Sequence, residues 1–301
     1  MGSLQKPILY RSRFLLPITA PPVEDGAVVV ENGRICALGT HREMTAAYPD
    51  AAVVDFGDAV LLPPMVNAHT HLELSSFAVW SAAAGEPDDL QAPDTSQEFV
   101  DWILRLVRIR RPITEEQCHD SLKEGLRESL LAGTGAIGDI FTTPGAVSAY
   151  RQSPLRGKVF VEVLGHDSDV VGERLSAIEA VLQSHPGSCL DWGLSPHAPY
   201  TLSSAAINQV FAFADHQNLQ CTIHLAESMD ETRFLKNGSG AIADRLYAAA
   251  RWDPTADPVP GCSPVSALCR KGRLRPGDLV VHGVQVDSAD IDLLKQSGCS
   301  V

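Results

Sequence analysis

The stretch MVNAHTHLELS, residues 65–75, ends an apolar run with two histidines two positions apart and a glutamate two further on. On a β-strand, residues i and i+2 project from the same face. His69 and His71 therefore aim at one point while Thr70 turns away. Two neutral imidazoles converging like this suit zinc or iron, and a catalytic site needs about three protein ligands plus an open position. The pair alone also fits a solvated loop. What decides between these is whether other strands deliver ligands to the same place.

Working outward, further apolar runs follow: TGAIGDI, KVFVEVLGH, CLDWGLSPH, QCTIHLAE and DLVVHGV. Helical segments are expected at Glu98–Arg110, Thr114–Leu131, Gly172–Gln183, Ser203–Gln217 and Ser288–Lys295. Alternation of buried strands with helices predicts a parallel sheet. Histidine recurs at the strand ends, as His197, His224 and His282. Polar residues gathered at that level predict an α/β fold of the (β/α)8 TIM-barrel type, whose active site lies on the C-terminal rim. The competing doubly wound sheet would carry a glycine-rich turn after its first strand, and none is present. Glu227 lies three residues past His224. From that loop it can lean over a metal and move a proton from water to a leaving group.

Residues 1–58 differ in pattern. GAVVVENGRICALG places an Asn-Gly turn between two apolar runs, which predicts a hairpin, and the segment reads as a small all-β unit. The expected division is 1–58 and 59–301, the latter holding the first six barrel strands and the start of the seventh. Six strands and a stub leave a barrel incomplete, so a piece of a longer protein is the expectation. RWDPTADPVPGCSPV, residues 251–265, is a proline-rich loop before the sixth strand, either a lid or a surface insertion.

Composition limits the function classes. The net charge of −13 repels phosphate backbones, so nucleic acid is not an expected partner. Seven cysteines without a Cys-x-x-Cys pair read as reduced thiols in a cytoplasmic protein. No apolar run approaches the ~18 residues of a membrane span, so no membrane association is expected. The HLE at residues 71–73 matches the His-x-Glu of the cytidine-type zinc deaminases. That site also needs a Pro-Cys-x-x-Cys segment, which is missing, so Glu73 is left as a helix-start or rim residue.

VNAHTHLELS, SPHAPYTLS, IHLAES and VVHGV, in this order, resemble the amidohydrolase superfamily. The resemblance points to the branch of chlorohydrolases, guanine deaminase, S-adenosylhomocysteine deaminases and aminodeoxyfutalosine deaminase. It implies a barrel with a small N-terminal β-sandwich subdomain. One divalent metal ion, zinc before iron, would sit on His69, His71 and His224. Binuclear relatives use a carboxylated lysine at the fourth strand, and CLDWGLSPH has no lysine. Glu227 would be the acid/base and His197 a substrate contact. His282 would hold the hydrolytic water or polarise the substrate. FVDWILRLVRIR resembles a capping helix from which Trp102 would stack on the substrate ring; the alternative is a core tryptophan.

The implied reaction is hydrolytic deamination. Water acidified toward a pKa of about 7 by the metal attacks an amidine-like ring carbon, and Glu227 passes the proton to the departing amine. The expected substrate is a purine- or nucleoside-like heterocycle, aminodeoxyfutalosine foremost, and a homodimer is compatible. A triazine-type chlorohydrolase or aminohydrolase, and a non-catalytic scaffold, are the alternatives. The family also expects a late aspartate in a GTDS-like segment and a C-terminal stretch completing the sandwich. Neither is in this sequence, so the chain alone is expected to fold poorly and to be inactive.

Overall fold

The hairpin forms where the Asn-Gly pair sits, because Asn32 and Gly33 both take left-handed φ, 51° and 71°. This computed structural model describes residues 6–86, 96–184, 186–187 and 189–301. The chain divides into two compact units, Met1–Met65 and Val66–Val301, the first running past the expected boundary at residue 58.

In the first unit, β1 (Ile8–Leu15), β2 (Val23–Glu31), β3 (Arg34–Thr40), β4 (Ala52–Asp55) and β5 (Val60–Leu61) form one sheet. Its order is β3-β2-β1-β4, with β5 also on β1. The β1–β2 and β2–β3 pairs are antiparallel, while β4 and β5 run parallel to β1. The unit is not all-β: a helix, His41–Ala47, follows β3. Thr40 caps it, and Glu43 closes a capping box. Met44 of this helix packs on Leu9, Ala27 and Val29.

The second unit is α/β. Its strands are β6 (Met65–Thr70), β7 (Thr134–Phe141), β8 (Arg156–Val163), β9 (Leu190–Pro196), β10 (Thr222–Leu225) and β11 (Leu279–His282). β6-β7-β8-β9 form one sheet and β10-β11 another. The β7–β8, β8–β9 and β10–β11 pairs are parallel. A parallel bridge between Leu194 and Cys221 links β9 to β10, and another places Ser300 beside Leu279 of β11. The strands thus adjoin in chain order with helices between them, the arrangement of a barrel wall. The helices Ser96–Arg110, Glu115–Leu131, Ser168–Leu182, Ser204–His216 and Ser288–Ser297 overlap the expected segments, the third beginning ahead of the expected Gly172. Shorter helices at Phe77–Ala83, Met229–Asn237 and Pro264–Cys269 were not expected; they hold too few turns to show a 3.6-residue period. Among the described residues no helix is long and apolar enough to cross a membrane.

Period-two alternation sorts the strand residues. Val161 and Val163 of β8, Leu194 of β9, and Ile223 and Leu225 of β10 pack with Val171, Leu175, Val210 and Phe211 of the helices. Gly138 of β7 lets the strands approach, since a Cβ there would lie 2.3 Å from the Ala68 carbonyl oxygen of β6. The residues of opposite parity, Glu162, His197 and His224, are left for the other face.

Candidate active site

Five histidines from four strands meet at the strand ends. Ring centroids of His69 lie 5.0 Å from those of His71 and His224 and 5.5 Å from that of His282. His197 lies 4.8 Å from His224. His282 arrives by a backbone departure. It shares parity with Val280, which packs on the helical side, but its own φ of 79° breaks the alternation. Such a conformation is costly for a residue with a Cβ and recurs at functional sites.

The hydrogen bonds set the tautomers. The carbonyl oxygen of His197 accepts from both the backbone N–H and the Nδ1–H of His224, each at 2.9 Å. The Thr201 hydroxyl donates to the Ala198 carbonyl, so it accepts from Nδ1–H of His197 at 2.9 Å. A neutral imidazole bearing its proton on Nδ1 offers a lone pair on Nε2. Both rings therefore present Nε2 to the centre. His71 Nε2 lies 3.3 Å from His224 Nε2, and His69 Nδ1 is buried without a hydrogen-bond partner.

Burial keeps these rings neutral. It pushes His69 down to about 4, His71 to about 3 and His197 to about 4, neighbouring histidines adding to the effect. Burial also lowers His224 and His282. Neutral rings are the form that binds metal. Two nitrogens held ~2.0–2.1 Å from a tetrahedral zinc lie about 3.3 Å apart, which is the His71–His224 spacing. The donor set thus fits a divalent ion. Donor atoms of His69, His224 and His282 all fall within 4.8 Å of one another, as do those of Glu162, His197 and His224. His282, expected at the hydrolytic water or the substrate, thus lies close beside the donor atoms of His69 and His224.

Glu227 is brought to the cluster, with Oε1 3.4 Å from His282 Nε2. Burial raises its carboxyl to about 7. Its loop turns at Ala226, φ 54°, and is tied down by the fully buried Glu231. That carboxylate accepts from the backbone N–H groups of Ala226 (3.1 Å) and Glu227 (2.8 Å). Glu231 was not singled out from the sequence, although SMDE, residues 228–231, carries the Ser-x-x-Glu pattern of a helix start, and Ser228 does cap that helix.

Glu73 is the middle residue of the turn Leu72–Leu74 and no rim residue, being 2% exposed. It accepts from the Thr142 backbone N–H at 3.3 Å and from the Thr142 hydroxyl. Trp102 is 38% exposed, so it is not a core tryptophan. It stacks on Phe99, and a run of rings through Tyr200 leads from there to His197. Asp257 and Val259 of the proline-rich loop line a crevice together with Phe234 and Tyr247.

A model of the amidohydrolase family matches residues 60–299, and one of a bacterial imidazolonepropionase-like composite domain matches residues 26–51. The chain is 30% identical over 287 residues to the aminodeoxyfutalosine deaminase of Deinococcus radiodurans, across 92% of this chain and 64% of that protein. It is 27% identical over 285 residues to a 5-methylthioadenosine/S-adenosylhomocysteine deaminase of Nitratidesulfovibrio vulgaris, across 93% of this chain and 57% of that one. The chain therefore spans 64% and 57% of the lengths of these two relatives. In fold it is similar to the crystal structure of Helicobacter pylori aminofutalosine deaminase in complex with methylthio-coformycin, with a TM-score of 0.79 at 21% identity over 97% of this chain and 68% of that one. With four strand ends converging on one histidine cluster and a family model covering most of the sequence, the chain belongs to the amidohydrolase family.

Proposed function

We propose that the chain carries the centre of a metal-dependent hydrolytic deaminase acting on a purine- or nucleoside-like heterocycle, aminodeoxyfutalosine foremost. One observation carries this reading: His71 and His224 face each other through Nε2 at 3.3 Å, and the Glu227 carboxyl reaches the same cluster, 3.4 Å from His282 Nε2. The barrel, with residues 1–58 as part of a β-sandwich subdomain and 59–301 as its wall, is the scaffold of the proposal. Its free thiols, among them Cys118 and Cys221, suit the cytoplasm.

His69, His71 and His224 would hold one divalent ion, zinc ahead of iron. When bound, the ion supplies Lewis acidity, which makes water a nucleophile at neutral pH. Glu227 takes a proton from that water and delivers it to the ring amine. A C–O bond forms at the ring carbon, the C–N bond breaks, and ammonia leaves. His282 holds the Glu227 carboxyl in place, and the Nε2 lone pair of His197 meets a substrate N–H. Trp102 stacks nearer the mouth.

The test is ammonia release by the zinc-reconstituted protein from adenosine-type nucleosides, free purines and aminotriazines. Release from the nucleosides is expected. Release from the triazines alone would move the substrate class, and release from none, with zinc bound, would defeat the reading.

A further inference from the structure

β8 brings in a carboxyl that the mechanism above does not use. Val161 and Val163 face the helices, so Glu162 faces the histidine cluster. It is 4% exposed, and its Oε1 is fully buried with no hydrogen-bond partner. A carboxyl oxygen lies within 4.8 Å of ring nitrogens of His197 and His224. A buried, unpaired carboxyl is costly, and one kept in a cleft calls for a ligand that completes its bonds.

An ion between Glu162, His197 and His224 is disfavoured by the tautomers. His224 Nδ1 is held by the His197 carbonyl, and its Nε2 faces His71. No second lone pair of His224 remains for an ion on the Glu162 side. A neutral organic group has no such requirement, and a carboxyl group can donate its O–H to a ring-nitrogen lone pair of a base or accept from its N–H through the carbonyl oxygen.

We infer that Glu162 is a specificity-determining residue whose carboxyl hydrogen-bonds the nitrogen-bearing edge of the substrate heterocycle. The inference rests on the deaminase reading above and deepens it. A site built to bond a polar edge rejects a ring that lacks it far more strongly than an apolar pocket would.

The experiment measures equilibrium binding of adenosine and its 1-deaza, 3-deaza and 7-deaza analogues. The zinc-loaded protein carries Glu227→Gln to suppress turnover, with and without Glu162→Gln or Glu162→Ala. At least one analogue is expected to bind about tenfold or more weaker than adenosine when Glu162 is present. That penalty should largely vanish with Glu162→Ala. Zinc content and melting temperature should be unchanged in Glu162→Gln. Penalties that are the same with and without Glu162 would overturn the inference while leaving the deaminase reading intact. Loss of zinc in Glu162→Gln would assign the carboxyl to the ion and also overturn it. Failure of every ring to bind, with zinc present, would overturn both.

Discussion

Glu227 and Glu231 show how two glutamates four residues apart divide the work of one loop. Glu227 lies against His282, while Glu231 holds the backbone of Ala226 and Glu227. Glu227→Gln keeps the shape and removes the proton carrier. Its kcat is expected to fall by about a hundredfold or more with zinc content unchanged, as steady-state kinetics and metal analysis would show. Glu231→Ala leaves two N–H donors without their carboxylate, at roughly 1–3 kcal/mol for each buried donor. Thermal melting should register that loss along with reduced kcat. The histidines were legible in the sequence because period two and strand-end placement are local rules. Glu162 and Glu231 were not, since a glutamate inside VFVEV or after a loop declares its burial only when the neighbouring elements close over it.

At the scale of elements, strand approach and helix starts depend on small residues and caps. Gly138→Ala would drive a Cβ against the Ala68 carbonyl oxygen, which is backbone and cannot swing aside. About 1–3 kcal/mol of destabilisation is expected. Because Ala68 precedes His69, zinc affinity should fall as well, a joint effect that paired melting and metal titration would reveal. The long helices and the hairpin were readable because each repeats its period or carries its turn residues. The helix His41–Ala47 was missed for the opposite reason. Seven residues show little period, and only the THRE capping pattern, residues 40–43, marks its start. The backbone reversal at His282 has no sequence signature, so alternation alone would have turned its ring away from the cluster.

At the scale of the whole molecule, buried charge and the proposed metal both bear on folding. Asp139 is fully buried on β7, accepting from the Leu72 N–H and the Tyr150 hydroxyl, and burial raises its carboxyl to about 8. A carboxyl whose folded pKa is raised contributes fully below its unfolded pKa of ~3.9, and its contribution is lost as pH rises through the folded value. The stability of the wild type relative to Asp139→Asn should therefore decline from about pH 4 to 8, which melting curves across that range would show. A zinc ion bound at the proposed site would act by mass action: at ~100 times its dissociation constant it would add about 2.7 kcal/mol. A chelator should lower the melting temperature of the wild type and leave that of His224→Ala unmoved.

The central claim, that water replaces a ring amine at the histidine cluster, is tested most directly by mass spectrometry of the product formed from an adenosine-type nucleoside in heavy-oxygen water. The account predicts ammonia and a product carrying one labelled oxygen where the amine stood. Unlabelled starting nucleoside recovered intact, from protein with zinc bound, would contradict it.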